Sequence, residues 1–210
     1  MAMSAREAWR WKMTHNCLRG MVLAIDQYHE DFGCLPPSVV RNEDGRARHS
    51  WRSLVHPYRV RAVYSREGGD PPVDCVYRFS EVWNSGHNLE VGRWKGGTNP
   101  AYDLLAVVGP GTVWEEGRSC RRMDIKDGTS NTLLAIAIPS VGIGWHEPRD
   151  AVFDGESVFV EADGVRKSLA GIPCFLLLAD SSVRYVKDGL SEKSLVALVT
   201  IDADDDPGDF

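Results

Sequence analysis

What this chain of 210 residues lacks narrows its function first. It has no unbroken apolar run near the roughly 18 residues that a membrane-spanning helix needs. Its longest runs, Leu133 to Pro139 and Ile172 to Ala179, fall far short. The first residues are charged and lack the apolar core of a secretory signal, so the chain as written reads as soluble. It has no excess of positive charge either; a net charge of −6 argues against a nucleic-acid surface. Cysteine is sparse: Cys17, Cys34, Cys75, Cys120 and Cys174 are odd in number and form no CxxC pair, which argues against a zinc ribbon or a thioredoxin-type centre. Buried free thiols are the expectation, and one or two disulfides would require an exported, oxidising setting. GxSxG, HExxH and a glycine-rich phosphate loop are all missing. The six histidines (His15, His29, His49, His56, His87, His146) never fall at i, i+4 or HxH spacing. These absences lead to a non-enzymatic reading with no cofactor and no metal.

What is present begins with periodicity. From Ser4 to Phe32 apolar residues recur at Leu18, Met21, Ile25, Tyr28 and Phe32, the three-four spacing that places them on one face of a helix. Cys17 and Ala24 widen this stripe. Ser4 with Glu7 reads as a capping box, and Gly33 followed by Pro36-Pro37 stops the helix. Such a helix is roughly 43 Å long at 1.5 Å per residue, too long for a domain of this size to cover throughout. Its downstream half is expected on the core, while the basic, aromatic upstream half (Arg6, Trp9, Arg10, Trp11, Lys12) is expected to project.

Downstream, Asn42 to Arg48 reads as a polar loop with an Asp-Gly turn, Ser50 to Tyr58 as a short helix, and Val73 to Gly97 as short irregular elements rich in aromatics. The second half is strand-like: Ala101 to Val108, Thr132 to Ile138, an edge strand at Val158 to Glu161, and a hairpin of Cys174–Leu178 with Ser182–Val186. Ser191 to Thr200 is a last helix with a serine cap. The expectation is a single α+β domain over 1–201. It comprises a helix at 4–32, a loop-rich region at 33–100, and a sheet with a final helix at 101–201. Residues 202–210 form an acidic tail. Its Asp202, Asp204 and Asp206 have the spacing of calcium-loop ligands, but Pro207 stands where the glycine turn belongs, so a solvated tail is expected.

Two places invite a site. Trp83, His87, Asn88 and Trp145 lie in loops (77–94 and 145–150) dense in Trp, Tyr and His, a composition suited to a pocket for a carbohydrate or small polar ligand. The same composition also staples long loops onto a core. Asp127, Gly128, Thr129, Ser130 and Asn131 bond their own backbone readily and tolerate left-handed conformations, so they read first as a tight turn feeding a buried strand.

Several stretches in order resemble a family. They are Ser4 to Ala8; Asn16 to Pro37 with its Tyr28-His29 pair and closing Pro-Pro; Ser50-Trp51-Arg52 with Pro57-Tyr58; and Tyr77-Arg78-Phe79 through Glu81, Trp83, Ser85, His87 and Asn88. Asp127-Gly128-Thr129-Ser130-Asn131-Thr132 follows, then Trp145 and Glu147-Pro148-Arg149-Asp150. Together they resemble the pilin-like, prepilin-type domain of unknown function expanded in planctomycete bacteria. That resemblance implies a type IV pilin-like fold, a long N-terminal helix packed on an antiparallel sheet with long irregular loops. It implies a structural or assembly role in the cell envelope, with other pilin-like subunits or secretion components as partners and membrane contact only through an N-terminal helix absent here. Three features depart from the family's pattern: Ala170 stands where its histidine would be, Ser181 where Asp-Gly would place glycine, and Ala137 where an acidic residue usually follows the strand.

Overall fold

Residues Ala5–Phe32 form α1, 28 residues and about 42 Å long. In the computed structural model, which describes residues 5–66, 102–144, 147–203, 205 and 207–208, its middle is buried as the periodicity requires. Leu18, Met21, Ala24 and Ile25 face the core, joined by Val22 on the next row of the wheel, and Tyr28 packs partly buried against them. The stripe runs out before its end. Phe32 is 60% exposed although its phase matches Ile25, because the core stops one turn short of it; its ring rests on Tyr28 instead, at 4.4 Å between centroids. Cys17 is exposed and does not widen the stripe. Nor does the helix project freely from Trp11 onward: that indole stacks on His15 and stands 6.3 Å from the Phe175 ring.

Gly33, with φ of 70°, closes the helix by donating its N–H to His29 O at 2.8 Å, the left-handed end that glycine adopts without strain. Gly20, by contrast, lies mid-helix with open space where a Cβ would stand. Gly20→Ala is therefore expected to stabilise the fold by about 0.8–1 kcal/mol, read as a higher denaturant midpoint at unchanged slope.

Val39–Arg41 (β1) and Ala47–Ser50 (β2) pair antiparallel around Gly45, so the expected Asp-Gly turn is the tip of a hairpin. Trp51–Arg66 (α2) follows directly and passes through Pro57. The helix expected over Ser50 to Tyr58 runs on to Arg66; Pro57 removes one ladder hydrogen bond, and the loss of that one bond does not end the helix.

The strands Tyr102–Leu105 (β3), Val107–Val108 (β4), Leu133–Pro139 (β5), Ala151–Phe153 (β6), Val158–Ala162 (β7), Val165–Ser168 (β8), Cys174–Leu178 (β9) and Val183–Val186 (β10) build two four-stranded sheets. One is antiparallel in the order β10-β9-β5-β3; the other runs β4-β6-β7-β8, antiparallel except for the β4–β6 pair. Thus β7 is internal, not an edge, because β8 covers it. Glu192–Val199 (α3) is capped as expected, with Ser191 Oγ accepting from Ser194 N at 3.1 Å.

The first sheet is the middle layer, and its strands alternate accordingly. Leu104, Ala137, Phe175 and Leu177 face α1, while Leu105, Ile136, Ile138, Leu176 and Leu178 face the second sheet and α3. Buried on both faces, β5 and β9 read as continuous apolar runs. A bulge between Leu133 and Ala135 turns Leu134 and Ala135 both toward α1. The Leu134 carbonyl accepts the Trp114 indole N–H at 2.5 Å. Together the elements give a mixed α+β fold with three helices and mainly antiparallel sheets among the described residues.

Candidate functional site

The chemistry-bearing side chains gather at two places, both seams between layers. The first begins at Ser50-Trp51-Arg52, where β2 turns into α2. Arg52 is 1% exposed, an extreme position for a guanidinium. Its Nε donates to Leu104 O at 2.6 Å and its Nη1 to Ser50 Oγ at 2.7 Å; its Nη2 pairs with Asp150 Oδ1. More distant carbonyls of Glu147 and Arg149 complete the ring of acceptors. Asp150 Oδ1 also accepts from Trp51 Nε1 at 3.2 Å and from Ala106 N at 2.8 Å. One carboxylate therefore ties the start of α2 to the β3–β4 bend and to the entry of β6.

Burial dominates at both partners. It pushes Asp150 up to about 6, against the pull of Arg52 and the surrounding N–H donors, and it draws Arg52 down. Trp51 packs on Trp114 at 5.1 Å, and the Arg52 guanidinium lies 5.1 Å from the Trp51 ring centre. Nearby Asp103, also buried, accepts from Ser140 Oγ and Val141 N at 2.8 Å and from Ile143 N at 3.1 Å, so it shapes the 140–143 turn.

The second seam joins α1 to the β9–β10 turn. Asp26 pairs with Arg122 and accepts from Ser181 Oγ at 2.6 Å, while Arg122 N donates to His29 Nε2 at 3.4 Å. Ser181 sits at φ of 71°, in the left-handed region that favours glycine. At a position that glycine would occupy without strain, this chain has a serine whose hydroxyl bonds a carboxylate. A hydrogen bond to a charged group contributes about 1.5–3 kcal/mol, against roughly 1–2 for left-handed strain. The bond wins narrowly, so Ser181→Gly is expected to lower stability by up to about 1 kcal/mol, measured by urea unfolding, and a stabilised variant would refute that ordering.

The turn at Asp127–Asn131 abuts this second seam. Gly128 has φ of 91°, Asn131 N donates to Gly128 O at 3.0 Å, and Thr132 Oγ1 to the same carbonyl at 3.1 Å. Its outward groups serve two other segments: Thr129 O accepts from Asp180 N at 2.9 Å, and Asp127 Oδ2 from Ala203 N at 3.1 Å. It is a self-satisfied turn that also holds the β9–β10 turn and the chain after α3. The tail is exposed at Asp202 and Asp205 as expected, but Pro207 is buried, which corrects a wholly solvated reading.

Of the candidate residues from the sequence, the turn and the helix stripe therefore fall at structural seams. Trp83, His87, Asn88 and Trp145 lie outside the described residues. Arg52, Asp150, Asp103, Asp26 and Arg122 were missed as interacting groups. One signal was visible: an arginine between Trp51 and Leu54 in an apolar stretch needs a buried counter-charge. Among the described residues no group of three or more His, Cys, Asp or Glu is placed to hold a metal ion, and no helix is long and apolar enough to cross a membrane. The arrangement does mechanical work: it joins layers, and its carboxylates are occupied by donors.

Residues 3–61 match the model of the family described as a protein of unknown function (DUF1559), the family to which the order of motifs points. The matched stretch spans α1, the β1–β2 hairpin and the first part of α2, and so includes Asp26 and Arg52. No curated protein and no solved structure matches this chain.

Proposed function

We propose that this chain is a non-enzymatic structural or assembly protein, the globular head of a pilin-like envelope component. Its partners are other copies or related subunits, met along α1. The observation behind this reading is the stripe that outruns its sheet. Trp11, Leu18, Ile25 and Phe32 share one helix face at seven-residue spacing. The two middle members are 6% and 0% exposed, whereas Trp11 is 39% and Phe32 60% exposed. A helix whose core-facing stripe continues past the core at both ends presents apolar surface to a neighbour. The part-buried Asp26–Arg122 pair, with the Ser181 hydroxyl, suits a head that must hold α1 to its sheet under load.

Photocrosslinking tests the proposal. Benzoylphenylalanine is placed at Trp11 or at Phe32 in the purified chain, with exposed Val165 as control position. Cross-links from the first two positions to α1 of a second copy, growing with protein concentration, are the expected result. Only intramolecular products at both positions, together with a sugar or wall fragment that raises the melting temperature in a thermal-shift screen, would replace this reading with that of a binding module.

A further inference from the structure

We propose that Cys34 and Cys120 form a disulfide that staples the end of α1 to the segment leading into Arg122–Asp124. Both are free thiols in the structure, on segments joined by one backbone hydrogen bond: Leu35 N donates to Cys120 O at 2.8 Å. Adding the covalent steps from each Cα to these atoms limits the Cα–Cα separation to at most roughly 7.5 Å, a range that includes the 4.4–6.8 Å that disulfides span. The segment after Cys120 is also held to the body of α1, by Arg122 N on His29 Nε2 and by Arg122 on Asp26. Neither sulfur has another strong partner; Cys120 Sγ makes one long contact, to Arg121 O at 3.6 Å.

The two thiols differ in a way that orders the reaction. Cys120 is 2% exposed, and burial pushes its thiol up despite Arg118 and Arg121 nearby. Cys34 is half-buried at the helix end, close enough to Tyr28 to add to the upward shift that burial gives that phenol. Attack begins at Cys34, the more accessible of the two. Its thiolate displaces one thiol from a small disulfide donor such as oxidised glutathione, giving a mixed disulfide. Cys120 then gives up its proton, attacks the Cys34 sulfur and releases the second thiol. Two protein thiols are oxidised and one donor disulfide is reduced to two thiols. The closed loop contains the whole stretch from Leu35 to Ser119, and cross-links across long loops restrict the unfolded chain most.

The test uses the full chain, equilibrated with oxidised and reduced glutathione, acid-trapped, alkylated in denaturant and digested without reduction. The expected result is a linked peptide pair containing Cys34 and Cys120, with two of the five cysteines protected from alkylation until dithiothreitol is added. The oxidised protein should also melt at a higher temperature than the reduced one. Cys34→Ser, at the half-exposed member, should abolish the linked pair and the thermal shift while leaving the reduced melting temperature in place. Full alkylation of both residues after oxidation, or a link from either to Cys17, Cys75 or Cys174, would overturn the proposal.

Discussion

Arg52→Ala should cost about 3–5 kcal/mol, a large share of the roughly 5–15 kcal/mol by which a domain is stable. The loss has three sources. Asp150 is left as a buried carboxylate without its counter-charge; Leu104 O and Ser50 Oγ lose the guanidinium donors; and a cavity opens beside the Trp51 ring. Solution pH separates the first source from the others. In the native protein Asp150 titrates at about 6, above the roughly 3.9 of an unfolded aspartate. A carboxyl raised on folding contributes stability that is fully present below the unfolded value and is lost as pH rises through the folded one. Without Arg52 the folded value rises further, so the destabilisation should be largest near pH 8 and shrink toward pH 5. Adding Asp150→Asn to Arg52→Ala should recover part of the loss at pH 8 and little at pH 5. Urea unfolding of the variants at both pH values decides the matter. A loss independent of pH would mean that the cavity and the orphaned acceptors dominate and the buried charge does not.

This seam also shows what the sequence could and could not convey. Ser50-Trp51-Arg52 and Glu147-Pro148-Arg149-Asp150 were both legible as motifs, yet nothing in either states that they touch across 98 residues. Local periodicity reports which face an element buries, not which distant element buries it. For the same reason β5 was legible as a buried strand, β9 as one arm of a hairpin, and Ser191 as a cap, without any sign of which layers cover them. The short β6 and β8 were not: Ala151–Phe153 is too short to show alternation, and Val165–Ser168 is exposed along its whole length. They are strands because β7 offers them hydrogen bonds on both sides. The Asp127–Asn131 turn followed from its own residues, since its bonds are local; its grip on Asp180 and Ala203 did not. Asp26 falls off the apolar stripe of α1, and only Arg122 and the return of the β9–β10 turn, distant in sequence, give it partners.

The helix stripe was the clearest sequence feature, and substitutions along it should show where the core ends. Ile25 is fully buried between the sheet and the rest of α1. Ile25→Asp removes roughly 1.5–3 kcal/mol of apolar burial and adds a carboxylate with no partner, so the variant should fail to fold or lose most of its cooperative transition. Phe32→Asp, seven residues on with the same phase, meets a different environment. Its ring is 60% exposed and touches mainly Tyr28, so the change should cost under about 1 kcal/mol. Periodicity treats these two positions as equivalent; the edge of the sheet does not. Circular dichroism melts of the pair are sufficient to compare them. Equal, severe losses would mean that Phe32 is covered in solution, and if the loss at Phe32 varied with protein concentration, the cover would be a second copy meeting α1 at that end. A folded Ile25→Asp protein with a near-native melt would instead place the core on another face of α1 and remove the basis for reading Trp11 and Phe32 as the overhanging ends of one stripe.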